Sequence, residues 1–341
     1  MTARSRESVA GSVAQLLRRV APFAISIAAL SYVFGHVIDP RELPLSGSNA
    51  NLPLFVGVVV VDKLVFFFGW SLIQWRIVQQ FVEPMPLRNM MAIKGASELV
   101  RAVSPQLADA AMFLGLSQVL RDRLSGLIAV ALVPTIAQLT VLLVQCTLAL
   151  PFLDEGLDAN SDVAWTVAIG WSIFVGIWIL GRLGVTATLM RRGGLERLHS
   201  QLNFKSVRPY LIFFTLLMSF DVLVQGIASR AFGIDIAWSA LIARIPVFYL
   251  VLTIPSFGNF GTRELAWSRL FSNYGSTEEL VAFALWTNVI FLIMHVIIGA
   301  AFVQRAIGMV RELRRQSRAG SEDVNGLGRD RSESSSSPAD R

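Results

Sequence analysis

An all-α polytopic membrane protein is expected from three observations on this sequence of 341 residues. Hydrophobic residues form 54% of the chain and charged residues only 16%, and the mean hydropathy of +0.57 lies above the range of soluble globular proteins. Apolar segments of about 20 residues, the helix length that crosses a bilayer core of roughly 30 Å, recur along the chain. Arginine-rich loops alternate with loops poor in basic residues, as the positive-inside rule requires.

Six apolar segments are interpreted as full transmembrane helices. They are residues 20–38, 54–75, 125–150, 163–180, 210–228 and 280–302. The first follows Arg18 and Arg19, and no small-x-small cleavage site comes after its apolar run, so we interpret it as a signal anchor.

Basic residues orient these helices in a cell inner membrane. Four arginines precede the first helix, five arginines between 305 and 318 follow the last, and the loop 151–162 has four acidic residues and no base. We therefore expect both termini in the cytoplasm. The predicted organisation is a cytoplasmic N-terminal segment (1–19), a transmembrane domain (20–303) and a cytoplasmic, largely disordered tail (304–341) rich in Gly, Ser, Arg and Asp.

Two segments do not fit a full crossing. Residues 236–255 are apolar and long enough to span, but a crossing there would place the arginine-rich C-terminus outside. We therefore predict a re-entrant helical hairpin over 236–271, broken at Pro255 to Gly261. Residues 87–120 are too polar to span and break at Ser104 and Pro105, because proline disfavours α geometry in the preceding residue. We predict a second re-entrant hairpin here, the alternative being an amphipathic pair on the cytoplasmic surface.

The order of these elements predicts an inverted-topology repeat. Residues 20–150 run span, span, hairpin, span, and residues 163–303 repeat that order from the opposite side of the membrane. Such repeats place a polar site near the bilayer midplane, where broken helices direct free backbone groups at a ligand. A chain with seven to eight spans is the alternative fold.

The most specific local pattern is PSFGNFGTRELA, from Pro255 to Ala266, which combines a helix stop, a glycine turn and the start of a new helix. Arg263 and Glu264 fall in the first turns of that helix, where free N–H groups favour an anion and a guanidinium can bind phosphate with two parallel bonds. This arrangement indicates a phosphate site in which Glu264 orients Arg263. The alternative is a structural Arg–carboxylate pair that closes the hairpin.

Ionisable residues inside the predicted spans and hairpins are further candidates, because an isolated charge at that depth costs roughly 2.5 to 3.5 kcal/mol. We expect Asp221 or Asp109 to pair with Lys63 or Arg244, as cavity residues or as purely structural pairs. Glu98 and Arg101, at i and i+3, are expected to form a simple helix pair. The candidate binding residues are Arg263, Glu264, Gly258, Asn259, Gly261, Pro255, Pro105, Asp109, Lys63, Asp62, Asp221 and Arg244.

The 255–266 pattern resembles the P-x-x-G-G-x-G-x-R-E-x-A signature of the lysylphosphatidylglycerol synthase transmembrane-region family, the flippase-like domain of aminoacyl-phosphatidylglycerol proteins. Asn259 replaces the second glycine, and Asn tolerates left-handed geometry better than most residues. Pro105 and Asp109 resemble the upstream P-x-x-x-[DE] element of that family. The resemblance implies a membrane domain that translocates lipid between leaflets around a polar cavity where the two re-entrant elements meet.

Other function classes find little support in the sequence. Cys146 is the single cysteine, and His36, His199 and His295 show no ligand spacing, so neither a metal nor another cofactor is expected. No nucleophile–base pair, nucleotide-binding loop or soluble aminoacyl-transferase domain is found, so an enzyme is not expected. The arginines lie where membrane orientation requires them, which argues against nucleic acid.

The leading hypothesis is thus a translocator whose partners are membrane lipids, anionic or phosphate-bearing. An accessory subunit or enzyme of lipid or glycan modification, and a small-solute transporter, are the alternatives. A homodimer and a membrane enzyme partner both stay open.

Overall fold

The computed structural model describes residues 50–119, 124–152, 158–183, 204–252 and 259–334, and within these ranges it contains nine α-helices and no strand. The helices are α1 Leu52–Phe81, α2 Leu87–Arg101, α3 Pro105–Val119, α4 Leu124–Ala149, α5 Asp158–Arg182, α6 Phe204–Phe232, α7 Trp238–Val251, α8 Thr262–Leu270 and α9 Thr277–Ser334. A 3-10 turn, Leu150–Phe152, follows α4. The expected all-α class is confirmed for the described residues.

Among the described helices, four contain a stretch long and apolar enough to cross a membrane. These stretches are Leu52–Phe81 in α1, Gly126–Ala149 in α4, Lys205–Phe232 in α6 and Thr277–Met309 in α9. They correspond to four of the six predicted spans. Many large apolar side chains on their outer faces are exposed, which is the arrangement that a lipid environment favours.

The other two predicted spans are not confirmed as full crossings. The segment 163–180 lies within α5, a helix of 25 residues whose apolar stretch, Val163–Ile177, is shorter than the four above. The segment 20–38 lies outside the described residues. The count of six full spans therefore stays a prediction.

Two pairs of short helices occupy the positions of the predicted hairpins. Helices α2 and α3 have 15 residues each, α7 has 14 and α8 has 9. At 1.5 Å per residue they are about 14 to 22 Å long, shorter than a bilayer core of about 30 Å. The break at Ser104 and Pro105 is confirmed, since α2 ends at Arg101 and α3 begins at Pro105. Re-entry into the membrane remains a prediction.

The sequence of long and short helices agrees with the predicted repeat. The described first half runs α1, the α2–α3 pair and α4, and the second half runs α5, α6, the α7–α8 pair and α9. Whether the halves are related by inverted symmetry stays a prediction. Where the sequence predicts a largely disordered tail, α9 is helical to Ser334.

Helices α2 and α9 pack closely against each other. Two glycines permit it: a Cβ at Gly95 would lie 2.5 Å from the Phe302 ring, and a Cβ at Gly299 would lie 2.4 Å from the Leu99 side chain and 2.8 Å from its backbone nitrogen. Small residues let helix backbones approach in a membrane, where lipid is as apolar as the side chains. The interface fixes the polar face of α2 against α9 and α1.

Candidate functional site

A buried carboxylate on α2 is the centre of the first group of charged residues. Glu98 is 2% exposed and accepts hydrogen bonds from Lys63 Nζ at 3.0 Å and Arg101 Nε at 3.2 Å. His295 Nδ1 lies 2.6 Å from Glu98 Oε2, and Lys94 Nζ lies 4.0 Å from Glu98 Oε1. We call these five residues the Glu98 centre. It joins α1, α2 and α9, because Lys63 and His295 come from the two flanking helices.

Arg101 extends the Glu98 centre to the next helix. Its Nη2 donates to Asp109 Oδ1 of α3 at 2.5 Å, and the Asp109 side chain is 51% exposed. Lys94, Glu98 and Arg101 stand at i, i+4 and i+7, so they share one face of α2. The charged residues that make the segment 87–120 too polar to span the membrane therefore include three that form ion pairs on one face of α2.

The electrostatics keep Glu98 charged. Burial raises the pKa of its carboxyl, but the Lys63 ammonium, the His295 hydrogen bond and the Arg101 guanidinium together outweigh burial and hold that pKa well below its usual range. Burial lowers the pKa of Lys94 to about 8, and the Arg101 charge acts in the same direction. Both Glu98 oxygens have partners, so this centre is satisfied.

The second group surrounds Arg263, at the start of α8. Arg263 is 6% exposed, and its guanidinium carbon lies 5.3 Å from the ring centroid of Phe248 and 5.0 Å from that of Phe291. Its Nε has no hydrogen-bond partner, and no ion pair joins it to a carboxylate of the described residues. Two aromatic faces thus hold the charge in place while its hydrogen-bonding capacity stays open.

Two buried carboxylates accompany Arg263. Asp62 of α1 is 3% exposed and Asp221 of α6 is fully buried. Gln225 Nε2 donates to Asp221 Oδ1 at 3.4 Å, and the Tyr249 hydroxyl lies at the same carboxylate. Within the described part of the chain, Asp62 Oδ1 and Asp221 Oδ2 have no hydrogen-bond partner. We call Arg263, Asp62, Asp221 and Tyr249 the Arg263 centre.

The turn before α8 has the geometry expected from its sequence. Asn259 has φ 62° and Gly261 has φ 81°, so asparagine does occupy a left-handed position. The Gly261 N–H donates to Glu264 Oε2 at 2.6 Å, and Asn288 Nδ2 donates to Oε1 at 3.4 Å. Glu264 therefore closes the turn from its own helix and does not form the expected pair with Arg263. Pro255 and Gly258 lie outside the described residues.

The expected ion pairs have other partners. Lys63 binds Glu98, and Asp109 binds Arg101, so the prediction that Asp221 or Asp109 pairs with Lys63 or Arg244 is wrong for the described residues. The predicted Glu98–Arg101 helix pair exists as part of the larger centre.

Arg244 of α7 connects this helix to the end of α8. Its Nη1 donates to the Leu270 carbonyl at 2.8 Å, and its guanidinium carbon lies 5.7 Å from the Tyr274 ring centroid. It lines neither of the two cavities that adjoin the charged centres. Arg244 therefore anchors the second short-helix pair to the following turn.

Two cavities adjoin the charged centres and share Lys63 and Arg101 as a common wall. The larger, about 400 Å³, lies among α1 to α4 and adds Lys94, Glu98 and Asp109 to its charged lining. The smaller, about 260 Å³, is lined by both breaks, since Pro105, Asn259 and Arg263 all border it. The two breaks thus border one cavity, as expected, whereas their approach near the bilayer midplane from opposite sides stays a prediction.

The smaller cavity is electrostatically one-sided. Its charged lining residues are Lys63, Arg101 and Arg263, and no carboxylate lines it among the described residues. Tyr249, Asn259 and Asn288 add polar groups, and Asn259 Oδ1 has no hydrogen-bond partner. Three cations on the wall of one cavity form a surface suited to an anion.

Sequence reasoning did not select Glu98, Lys94, Arg101 or His295 as site residues. The signal was present, because His295 lies in an apolar span where any ionisable residue is costly, and Lys94, Glu98 and Arg101 share a helix face. Metal-ligand spacing along the sequence cannot reveal a histidine that binds a carboxylate, as His295 does.

Comparison with known proteins identifies the family of this chain. No curated protein and no solved structure shows significant similarity to this chain. The sequence profile described as the lysylphosphatidylglycerol synthase TM region matches residues 19–299, which include both short-helix pairs and both charged centres. The chain therefore belongs to the lysylphosphatidylglycerol synthase transmembrane-region family.

Proposed function

We propose that this protein translocates a phosphate-bearing lipid between the leaflets of the inner membrane. The smaller cavity carries the proposal: Lys63, Arg101 and Arg263 line it, and no carboxylate of the described residues does. A lipid phosphate has two non-bridging oxygens, which a planar guanidinium can bind with two parallel hydrogen bonds. Family membership supports a lipid-related role in a membrane.

The size of the cavity limits what enters it. A volume of about 260 Å³ accommodates a headgroup and not the acyl chains of a phospholipid. In the proposed cycle the headgroup occupies the cavity while the chains stay in the bilayer. The larger cavity, which shares Lys63 and Arg101 with the smaller one, offers the headgroup a second polar position on its path.

The test is lipid translocation by the purified protein in vesicles. Fluorescent phosphatidylglycerol is accessible to a membrane-impermeant quencher only in the outer leaflet, so the rate at which it becomes accessible measures translocation. We expect Arg263→Ala to reduce the rate to that of empty vesicles. Arg263→Lys should keep part of the activity, because an ammonium supplies charge without the planar fork.

A matched control comes from the same helix. Arg269 of α8 is exposed and lies outside both cavities, so Arg269→Ala should translocate as fast as the parent. An Arg263→Ala protein that is monodisperse and moves the labelled lipid at the parental rate contradicts the proposal. Inorganic phosphate uptake, without lipid movement, would instead support the small-solute alternative.

The orientation belongs to the same proposal. The arginines between 305 and 318 favour a cytoplasmic C-terminus, and those before residue 20 favour a cytoplasmic N-terminus. A reporter fused after Arg318 should be active only in the cytoplasm. Periplasmic activity would restore a full crossing at 236–255 and change the span count.

A further inference from the structure

Asp62 and Asp221 lie at the same level on two neighbouring antiparallel helices. The Asn51 N–H donates to the Ala231 carbonyl at 2.7 Å, so the start of α1 is next to the end of α6. Asp62 lies 10 residues after Leu52 and Asp221 lies 11 residues before Phe232, which places both about 15 to 17 Å from that shared end. The two carboxylates therefore face each other deep within apolar helices.

Few groups near this pair can neutralise two negative charges. Lys63 is the neighbour of Asp62 on α1, but it is bound to Glu98 and belongs to the network of Lys94, Arg101, Asp109 and His295. The pair is approached from α6 by Gln225, from α7 by Tyr249 and from α8 by Arg263. Arg263 is the cation whose charge both carboxylates experience.

Each carboxylate also has one oxygen without a partner. Among the described residues, Asp62 Oδ1, Asp221 Oδ2 and Arg263 Nε are buried and have no hydrogen-bond partner. Two adjacent carboxylates that are both ionised repel each other, and in an apolar surrounding that repulsion is weakly screened. One proton removes the repulsion and gives one oxygen an O–H that can donate to the other carboxylate.

We propose that Asp62 and Asp221 form a binding site for one exchangeable proton. The proton is taken up from water on one carboxylate oxygen, which becomes a carboxylic acid, and it is released again as that acid ionises. No other bond is made or broken. The described residues contain no group of three or more His, Cys, Asp or Glu side chains that could hold a metal ion, and two carboxylates, a phenol and an amide suit a proton.

The proton site is linked to the anion cavity through Arg263. An anion bound in the smaller cavity neutralises the guanidinium that favours ionised Asp62 and Asp221, so the pair then binds its proton more tightly. By linkage, a protonated pair leaves Arg263 more available to the anion. This second step rests on the proposed function, whereas the proton site itself does not.

The bound proton is detected by infrared spectroscopy of the whole protein in nanodiscs of zwitterionic lipid, with spectra recorded over a range of pH values. The expected result is a protonated-carboxyl stretch in the parent that shifts in D₂O and disappears as the pH rises. Asp62→Asn and Asp221→Asn should each abolish that band, because the remaining carboxylate loses its repelling partner and stays ionised beside Arg263. Asp235→Asn, at an exposed residue, should leave it unchanged.

Several results overturn the proton site. One such result is that the band is absent from the parent, and another is that it survives in both variants. A third is that sodium chloride removes the band at constant pH where choline chloride does not, which would assign the site to Na⁺. The use of two single variants covers the case in which one of them does not fold.

The linkage has its own measurement. Adding phosphatidylglycerol to the nanodiscs should cause uptake of up to one proton per chain, detected with a pH indicator, and Arg263→Ala should abolish this uptake. Uptake that is equal with zwitterionic lipid overturns the linkage. Translocation that fails while the band persists refutes the transport function and leaves the proton site supported.

Discussion

The Glu98 centre and the Arg263 centre are both buried and both collect side chains from several helices, yet they differ in how completely their atoms are bonded. In the first, both Glu98 oxygens have cationic partners. In the second, Arg263 Nε, Asp62 Oδ1 and Asp221 Oδ2 have none among the described residues. A satisfied network holds helices together, whereas unsatisfied buried groups leave hydrogen-bonding capacity for a ligand or a proton.

The two centres are adjacent, so their roles are complementary. Lys63 and Arg101 belong to the Glu98 centre and also line the cavity at Arg263. A change in the first centre therefore alters the wall of the second. If this comparison is correct, variants of the first should act mainly on stability and variants of the second mainly on activity.

The largest expected effect is that of Glu98→Ala. Removal of the carboxylate leaves the Lys63 and Arg101 charges buried without their partner, which should cost about 3 to 5 kcal/mol of folding free energy. Thermal unfolding in detergent measures the loss. Glu312→Ala, at an exposed position on α9, is the control and should unfold like the parent. Equal melting temperatures for the two variants would remove the structural role of the Glu98 centre.

The close contact that supports this centre is tested by Gly299→Ala. The added Cβ meets the Leu99 side chain and backbone, so the α2–α9 interface must separate, and we expect a loss of about 1 to 3 kcal/mol. Gly308→Ala is the matched control, because nothing lies within 4 Å of a Cβ there. The same unfolding assay compares them, and a Gly299→Ala protein as stable as Gly308→Ala would contradict the packing.

The comparison is sharpest for Arg263→Ala. This variant loses the contacts with Phe248 and Phe291 but breaks no ion pair with a described carboxylate. Asp62 and Asp221 lose a nearby positive charge, which the proton proposed for that pair offsets, so the loss of stability should be only about 1 to 2 kcal/mol. Its melting temperature should therefore fall less than that of Glu98→Ala, although its translocation should fall further. A destabilisation as large as that of Glu98→Ala would mean that Arg263 is structural.

The smallest expected effect is that of Glu264→Gln. The amide oxygen can still accept the Gly261 N–H, and burial already raises the pKa of the Glu264 carboxyl, so a neutral side chain is tolerated at a cost of about 1 kcal/mol or less. Glu264→Ala removes the acceptor and should unfold at a lower temperature than Glu264→Gln. If both variants unfold together, the hydrogen bond to the turn contributes nothing measurable.

Part of the site was predictable from particular residues. The glycines and Asn259 before α8 indicate a left-handed turn, which the φ angles of Asn259 and Gly261 confirm. Pro105 indicates the first break, and the resemblance of the two breaks to one family leads to the expectation that they meet. Both border the smaller cavity. These features depend on local backbone chemistry, which a short stretch of sequence contains.

The partners of the charged residues were not predictable in the same way. The expectation that Glu264 orients Arg263 was wrong because the Glu264 carboxylate turns back to the Gly261 N–H. Lys63 binds a residue of α2, 35 positions away, and His295 binds the same residue from 197 positions away. Spacing along one helix gives the face on which a residue lies but not the helix that this face meets.

The sequence by itself determined the helical class, the long apolar stretches, the breaks at Pro105 and before Arg263, and the family. These follow from hydropathy, proline and glycine chemistry and a local motif, all of which act over a few residues. The tertiary structure alone decided that both Glu98 oxygens have cationic partners, that Arg263 lies between two rings without an ion pair to a described carboxylate, and that Asp62 and Asp221 lie at one level. Those outcomes depend on how helices from distant parts of the chain cross and rotate, because a buried charge takes whatever partner the neighbouring helix presents.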